Sequence, residues 1–430
     1  MALEMEEEAE RVSRDEEGTF VWSELPKDVQ HKVLSCLPIQ DLCQMRCVCK
    51  QWRDVIHRRE FRSMYDIVNS GSQNPSPVIC YMESSYPIRL EWAAYDYAGR
   101  TWKKMNSFPS LPQSILTQLS VRRHYSLSSV GGLLCLYFWK EEKSPKGYRN
   151  YAHNAPPGVS SWTVWHPFRN KWKRLPPCKH RVSDRAPLFV HAFVSDEQAK
   201  TYKILMAHHP KSHRYQFDEG DPDRRLVTEI YDSATGVWTD GAEFSEFSQG
   251  FRTYPQAGLI RRGVRCNDMI YFLTGGYTSI GQNALLSYDI ENDRWHEESY
   301  STRYPIFEWD GRLMSITLRT SEPDEWNRML RTYSFVEMNP DTRRWEDTGI
   351  EIPWNKILIK FRNMDSLAIV ASGNELAFTG SATGGGFKIA VYKRAENYWR
   401  LPPTGAFSDK MERSKVEGLL LHTPLLDWRP

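Results

Sequence analysis

Tyr231-Asp232-Ser233-Ala234-Thr235-Gly236-Val237-Trp238 is one of six segments in this chain that share a single frame. The others run Tyr95-Asp96 to Trp102, Trp165-His166 to Trp172, Tyr288-Asp289 to Trp295, Met338-Asn339 to Trp345 and Tyr392-Lys393 to Trp399. In each, a large side chain stands seven residues before a Trp. Asp stands six before the Trp in three of the frames, and Asn in a fourth. Between them lie turn formers such as Ala98-Gly99 and Glu291-Asn292-Asp293. Each frame therefore reads as a strand, a tight turn and a second strand carrying the Trp.

The Trp-to-Trp steps are 70, 66, 57, 50 and 54 residues. The last three are near one structural repeat of roughly 50 residues, and the first two carry insertions. Further strand pairs are read upstream of the frames: Tyr125–Ser129 with Leu133–Phe138, Leu188–Val194 with Tyr202–Ala207, Leu259–Arg261 with Met269–Thr274, and Leu367–Ala371 with Leu376–Thr379. Four strands in each of six units make a six-bladed β-propeller. The first unit offers only three strands, around Val78–Met82, Leu90–Tyr95 and Thr101–Met105. The run Glu417–His422 is expected to supply the fourth and to close the ring, because an open propeller exposes two long edges. A position that repeats in every unit points to packing, so the six Trp are expected to fill the gaps between blades.

Residues 20–62 have a different character. Val29, Val33 and Leu37, with Leu34 beside them, form one apolar helical stripe that starts after Pro26 and stops at Pro38. Asp41 opens a second helix with Leu42, Met45 and Val48 on one face, and Trp52, Val55, Ile56 and Phe61 continue the spacing in a third. Arg53, Arg58, Arg59 and Arg62 are expected on the exposed side. Some forty residues of short helices bury little surface alone, so this unit is expected to complete its core against a partner. The remaining divisions are a disordered acidic tail over 1–19, a linker over 63–76 and the propeller over 77–430. The tail's first 17 residues hold eight acidic and two basic side chains.

Composition narrows the function. The net charge of +2 is not that of a nucleic-acid binder. There is no apolar run of membrane-spanning length and no basic-then-apolar leader, so neither a membrane partner nor secretion is expected, and the place of action is expected to be nucleus and/or cytoplasm. Cys36, Cys43, Cys47 and Cys49 cluster, but without the paired spacing that zinc favours. His208, His209 and His213 fall beside Pro210 in a polar insert and read as a surface loop. No metal and no cofactor is expected. The chain lacks G-x-S-x-G, H-E-x-x-H and a phosphate-binding glycine loop, and no catalytic residue is assigned.

The run from Leu25 to Ile56, LPKDVQHKVLSCLPIQDLCQMRCVCKQWRDVI, resembles an F-box. The matching features are Leu25-Pro26, Val33-Leu34, Leu37-Pro38, Asp41-Leu42, Arg46-Cys47-Val48-Cys49-Lys50 and Trp52. The rest of the chain resembles the kelch-type or F-box-associated propellers of plant F-box proteins. The resemblance implies a substrate-recognition subunit of an SCF-type ubiquitin ligase. Its F-box would dock a Skp-type adaptor, and through it cullin and RING subunits, while the propeller holds a target protein. Carried over, Leu25, Pro26, Val29, Val33, Leu34, Leu37, Pro38 and Leu42 would meet the adaptor, and Val48, Trp52 and Ile56 would pack inside the helical unit, Trp52 either there alone or against the adaptor too.

The two long inserts, Lys140–Ser160 and His208–Arg225, both join second to third strands and enlarge one propeller face. Phe251, Arg252, Tyr254, Arg303 and Tyr304 lie in loops on that face and are the candidate target-binding residues.

Overall fold

The structure is a computed structural model that describes residues 22–70, 78–83, 89–96, 101–105, 115, 124–130, 132–140, 159–180, 189–196, 199–208, 225–245, 261–273, 283–302, 305–320, 331–353, 367–381, 387–401 and 415–420. The expected tail, the loop residues Phe251, Arg252, Tyr254, Arg303 and Tyr304, and most of both inserts lie outside these residues.

Four helices come first: α1 (Lys27–Ser35), α2 (Ile39–Val48), α3 (Lys50–His57) and α4 (Arg59–Ser70). Pro26 and Pro38 stand at the N-caps of α1 and α2, with φ of −51° and −55°. Proline's fixed φ and missing N–H suit a helix entrance. A short 3-10 turn, Trp22–Glu24, precedes α1, and the Gln30 amide donates to the carbonyls of Trp22 and Leu25 to hold it there. Two expectations are corrected. The third helical segment is broken in two at Arg58, whose backbone is extended. The expected linker over 63–76 is helical as far as Ser70, because Phe61 and Tyr65 of α4 bury completely against α1 and the Asn69 amide donates to the Ser35 carbonyl.

The strands that follow are β1 (Val78–Glu83), β2 (Arg89–Asp96), β3 (Thr101–Lys104), β4 (His124–Val130), β5 (Leu133–Lys140), β6 (Val159–His166) and β7 (Lys171–Arg174). Next come β8 (Phe189–Asp196), β9 (Thr201–His208), β10 (Val227–Asp232), β11 (Val237–Asp240) and β12 (Arg261–Arg262). They continue with β13 (Val264–Cys266), β14 (Met269–Leu273), β15 (Asn283–Asp289), β16 (Arg294–Thr302), β17 (Phe307–Trp309), β18 (Arg312–Thr320), β19 (Arg331–Met338) and β20 (Trp345–Ile352). The last are β21 (Ala368–Ser372), β22 (Glu375–Ser381), β23 (Phe387–Lys393), β24 (Tyr398–Arg400) and β25 (Lys415–Leu420). Successive groups pair as antiparallel meanders, and β25 pairs with β1, joining the end of the described chain to the first sheet. The strands β25, β4, β8, β13, β17 and β21 lie side by side in a closed circle, with the other strands except β12 radiating outward. This is a β-propeller.

The expectation of uniform four-stranded blades is corrected at one sheet. Among the described residues five sheets have four strands; the third has five, because β12 adds to the inner edge of β8 in parallel. Gly263 then carries the chain directly into β13 of the next sheet. A Cβ at this glycine would stand 2.6 Å from Ile270 and Phe272 and 2.8 Å from Ala192, so only glycine allows the two sheets to approach so closely.

The repeated frame has a local cause. The Asp232 side chain accepts the N–H of Ala234, Asp289 accepts those of Glu291 and Asn292, and Asn339 accepts those of Asp341 and Thr342. A short polar side chain at that point nucleates the turn. The residue two before the Trp has positive φ in every described frame: Asn170, Gly236, Asp293, Arg343 and Asn397, between 47° and 76°. The Tyr that opens two of the frames, Tyr288 and Tyr392, donates its hydroxyl to that residue, Asp293 and Asn397 respectively.

The frame Trp largely do the expected packing. Trp238 lies 5.9 Å from the Trp162 ring of the preceding sheet and donates to the Pro176 carbonyl. Trp295 donates to Thr228 and Ala242 of the sheet before it, and Trp399 stacks on Phe335. Trp172 departs from the rule and is 46 % exposed; its register partner Trp165 fills the interior instead, against Trp92.

Candidate functional site

The helical unit shares one apolar core with the propeller. Leu34, Ile39, Leu42, Val55, Ile56, Phe61 and Tyr65 belong to the same buried cluster as Trp92, Leu134, Leu136, Trp165 and Phe168. Arg46 of α2 fastens the junction: its guanidinium donates to the Phe168 carbonyl at 2.9 Å and lies 4.7 Å from the centre of the Phe168 ring. The expectation that the unit must complete its core against another protein is thereby corrected, since the chain's own propeller supplies the apolar surface. His57 lies against Phe168 too, and burial together with Arg46, Arg62 and Arg53 lowers its pKa, so it is neutral at pH 7.

With the core filled from within, the outward surface is what a partner would meet. Pro26, Val29, Val33 and Pro38 are exposed, and Leu25 and Leu37 are half-buried beside them. Val29 and Val33 follow at i and i+4, so they share one face of α1. Leu34 and Leu42, which the motif also nominates for docking, are 2 % and 0 % exposed and belong to the interior. The assignments for packing inside the unit divide as well. Ile56 is buried and Trp52 is half-buried against Trp22 at 5.0 Å, but Val48 is 60 % exposed. Arg53, Arg58 and Arg59 are exposed as expected, whereas Arg62 is 9 % exposed. Ile67 and Val68 near the end of α4 are exposed apolar residues that the motif did not mark.

The cysteines do not converge on a site among the described residues. Cys36, Cys47 and Cys49 are exposed, and Cys49 accepts the Trp52 N–H at the start of α3. Cys43 is buried, and burial pushes its thiol up to about 12, so it is not a nucleophile at neutral pH. Of His208, His209 and His213, only His208 is described, buried at the end of β9. A different group does converge: His180, Glu229 and Asp240 bring one nitrogen and two carboxylates within 4.8 Å of one another. Among the described residues no helix is long and apolar enough to cross a membrane.

Comparison with known proteins agrees with this division of the chain. Residues 22–64 match the F-box domain. The chain is 22% identical over 305 residues to F-box protein At3g07870 of Arabidopsis thaliana, covering 69% of this chain and 66% of that one. It is 22% identical to the putative F-box/kelch-repeat protein At1g15680 and 24% identical to F-box/kelch-repeat protein At3g61590 of the same plant, covering 50% and 63% of this chain and 46% and 58% of theirs. The chain thus spans about half to two thirds of the length of the curated relatives it matches. Among solved structures, TolB from Acinetobacter baumannii aligns over 82% of this chain and 70% of its own with a TM-score of 0.40 and 10% identity, which carries no argument about function. The chain is an F-box domain followed by a β-propeller, with relatives among plant F-box and F-box/kelch-repeat proteins.

Proposed function

We propose that this protein is the substrate-recognition subunit of an SCF-type ubiquitin ligase. The exposed face of α1 docks a Skp-type adaptor, which brings cullin and RING subunits. The propeller, read as a kelch-like ring of six blades closed by β25, holds a target protein. The chain itself is non-catalytic: a bound target's lysine meets a thioester made elsewhere, and the rate gain comes from proximity. The place of action is nucleus and/or cytoplasm.

The observation that carries this reading is the exposed row Pro26, Val29, Val33 and Pro38 on a unit whose interior is already complete. Exposed apolar side chains that the fold does not need are the mark of a protein-binding surface. Attachment through the shared core, Arg46 and Phe168 supports it further, since a set distance between adaptor and target would direct ubiquitin transfer.

The test is capture of a Skp-type adaptor by the full chain and by a Val29→Asp, Val33→Asp variant. Both positions are exposed, so the variant should keep the wild-type melting temperature and lose the adaptor. A folded wild type that fails to bind, or a variant that binds as well as the wild type, would refute the proposal and leave a free-standing propeller scaffold or enzyme as the reading to pursue.

A further inference from the structure

The connection leaving β7 carries Lys179 and His180 onto the outer strands of the next sheet. There Glu229 of β10 and Asp240 of β11 are register partners, so two carboxylates stand side by side on one face. Glu229 is fully buried. Its Oε1 accepts two backbone N–H groups, from Lys179 at 2.6 Å and His180 at 3.1 Å. Its Oε2 is buried and has no hydrogen-bond partner among the described residues. Burying a carboxylate oxygen without a donor is costly, and each such atom in a native fold calls for a reason.

The neighbouring groups supply one. The Lys179 ammonium sits on Asp240 Oδ2 at 2.8 Å and leaves Oδ1 turned to His180 Nε2, 3.3 Å away. That separation is long for an imidazole–carboxylate hydrogen bond, which runs roughly 2.7–2.9 Å. It equals the spacing of two donors on a tetrahedral ion, about 3.3 Å for bonds near 2.05 Å. One ring nitrogen, one oxygen of Asp240 and one of Glu229 all fall within 4.8 Å of one another.

We propose that His180, Glu229 and Asp240 form a site for a divalent first-row metal ion of the zinc type. The donor set decides the class. One imidazole with two carboxylates and no thiolate suits zinc, cobalt or manganese, whereas calcium and magnesium take oxygen donors. Three protein ligands leave a fourth position for water or for a group from a bound partner. The ion would tie the β7–β8 connection to the outer strands of the third sheet, at the end where β9 leaves and β10 enters. The long insert joins the sheet at that same end. The inference does not depend on the ligase reading.

The full chain, stripped with a chelator, would be titrated with Co²⁺ and with Zn²⁺. The expected result is one saturable equivalent, with visible d–d absorption and no thiolate-to-cobalt charge-transfer band. His180→Ala and Asp240→Asn should each lower the affinity at least tenfold. Both side chains are about half exposed, 48% and 58%, so the metal-free variants should melt with the metal-free wild type. Lys179→Met should raise the affinity, since it releases the second oxygen of Asp240. The proposal is overturned by an absence of saturable binding, by binding that both variants retain, or by a thiolate band that places the ion on the cysteines.

Discussion

Lowering the pH from 7 to 5 should cost this protein about 2 kcal/mol of stability through one side chain, His191. His191 sits on β8 at the inner edge of the third sheet and is 1% exposed. Its ring meets Trp162 edge-on at 5.5 Å, and Arg262 of β12 is its register partner. Burial first, and the Arg262 charge second, push its pKa from the ordinary 6.5 down to about 3. The unfolded chain keeps the ordinary value. Between the two pKa values the unfolded state holds a proton that the folded state refuses. The stabilisation is therefore fully present above pH 6.5 and falls by about 1.4 kcal/mol per pH unit until the folded pKa near 3 is reached. Urea unfolding at pH 7 and pH 5 would be compared for the wild type and for His191→Phe, a ring of similar size that does not titrate. The stability difference between the two proteins should move by about 2 kcal/mol in favour of the variant as the pH drops. Parallel pH curves would refute the reasoning and mean that the imidazole is hydrated, or protonated, in the folded state.

Two glycine substitutions should be costly for different reasons. Gly263→Ala, with three atoms closer than 3 Å to the new Cβ, should lower stability by about 1–3 kcal/mol through overpacking, visible as a lower melting temperature. Gly236→Ala meets no atom within 4 Å, so its cost, about 1–2 kcal/mol, should come from the φ of +76° alone, and Gly236→Asn should recover part of it. Glu298 is a third sensitive position: its buried carboxylate accepts from Ser287 at 2.5 Å and from Arg343 at 3.1 Å. Glu298→Ala strands the buried Ser287 hydroxyl and should cost about 1–3 kcal/mol in chemical denaturation. Arg46→Met keeps the aliphatic stem but loses the Phe168 carbonyl and the charge over its ring, and should weaken the junction by about 1–3 kcal/mol. Limited proteolysis should then cut between the helical unit and the ring sooner than in the wild type.

The propeller was legible because its signal is local. Asp232, Asp289 and Asn339 each build their turn within three residues, and a left-handed residue two before the Trp completes it. Such chemistry survives in a linear sequence wherever the chain runs. The pairing of β25 with β1 was readable for a related reason: the first unit lacked one strand, and an unpaired edge demands a partner. Pro26 marked the start of the first helix in the same local way, whereas Pro38, read as the stop of that helix, is the N-cap of the second, which opens at Ile39 rather than at Asp41.

Tertiary structure decided the rest, wherever the partners are far apart in sequence. Leu34 and Leu42 read as docking residues in the motif, yet they turn inward, because the first two propeller sheets offer them a core; Arg46 and Phe168, which fix that junction, are 122 residues apart. The parallel addition of β12 depends on a glycine whose neighbours come from two different sheets. His180 stands 49 residues from Glu229 and 60 from Asp240, and no spacing rule links them. Periodicity and turn chemistry specify what each segment becomes. Which buried groups then meet depends on closing the ring, and that is a property of the whole chain.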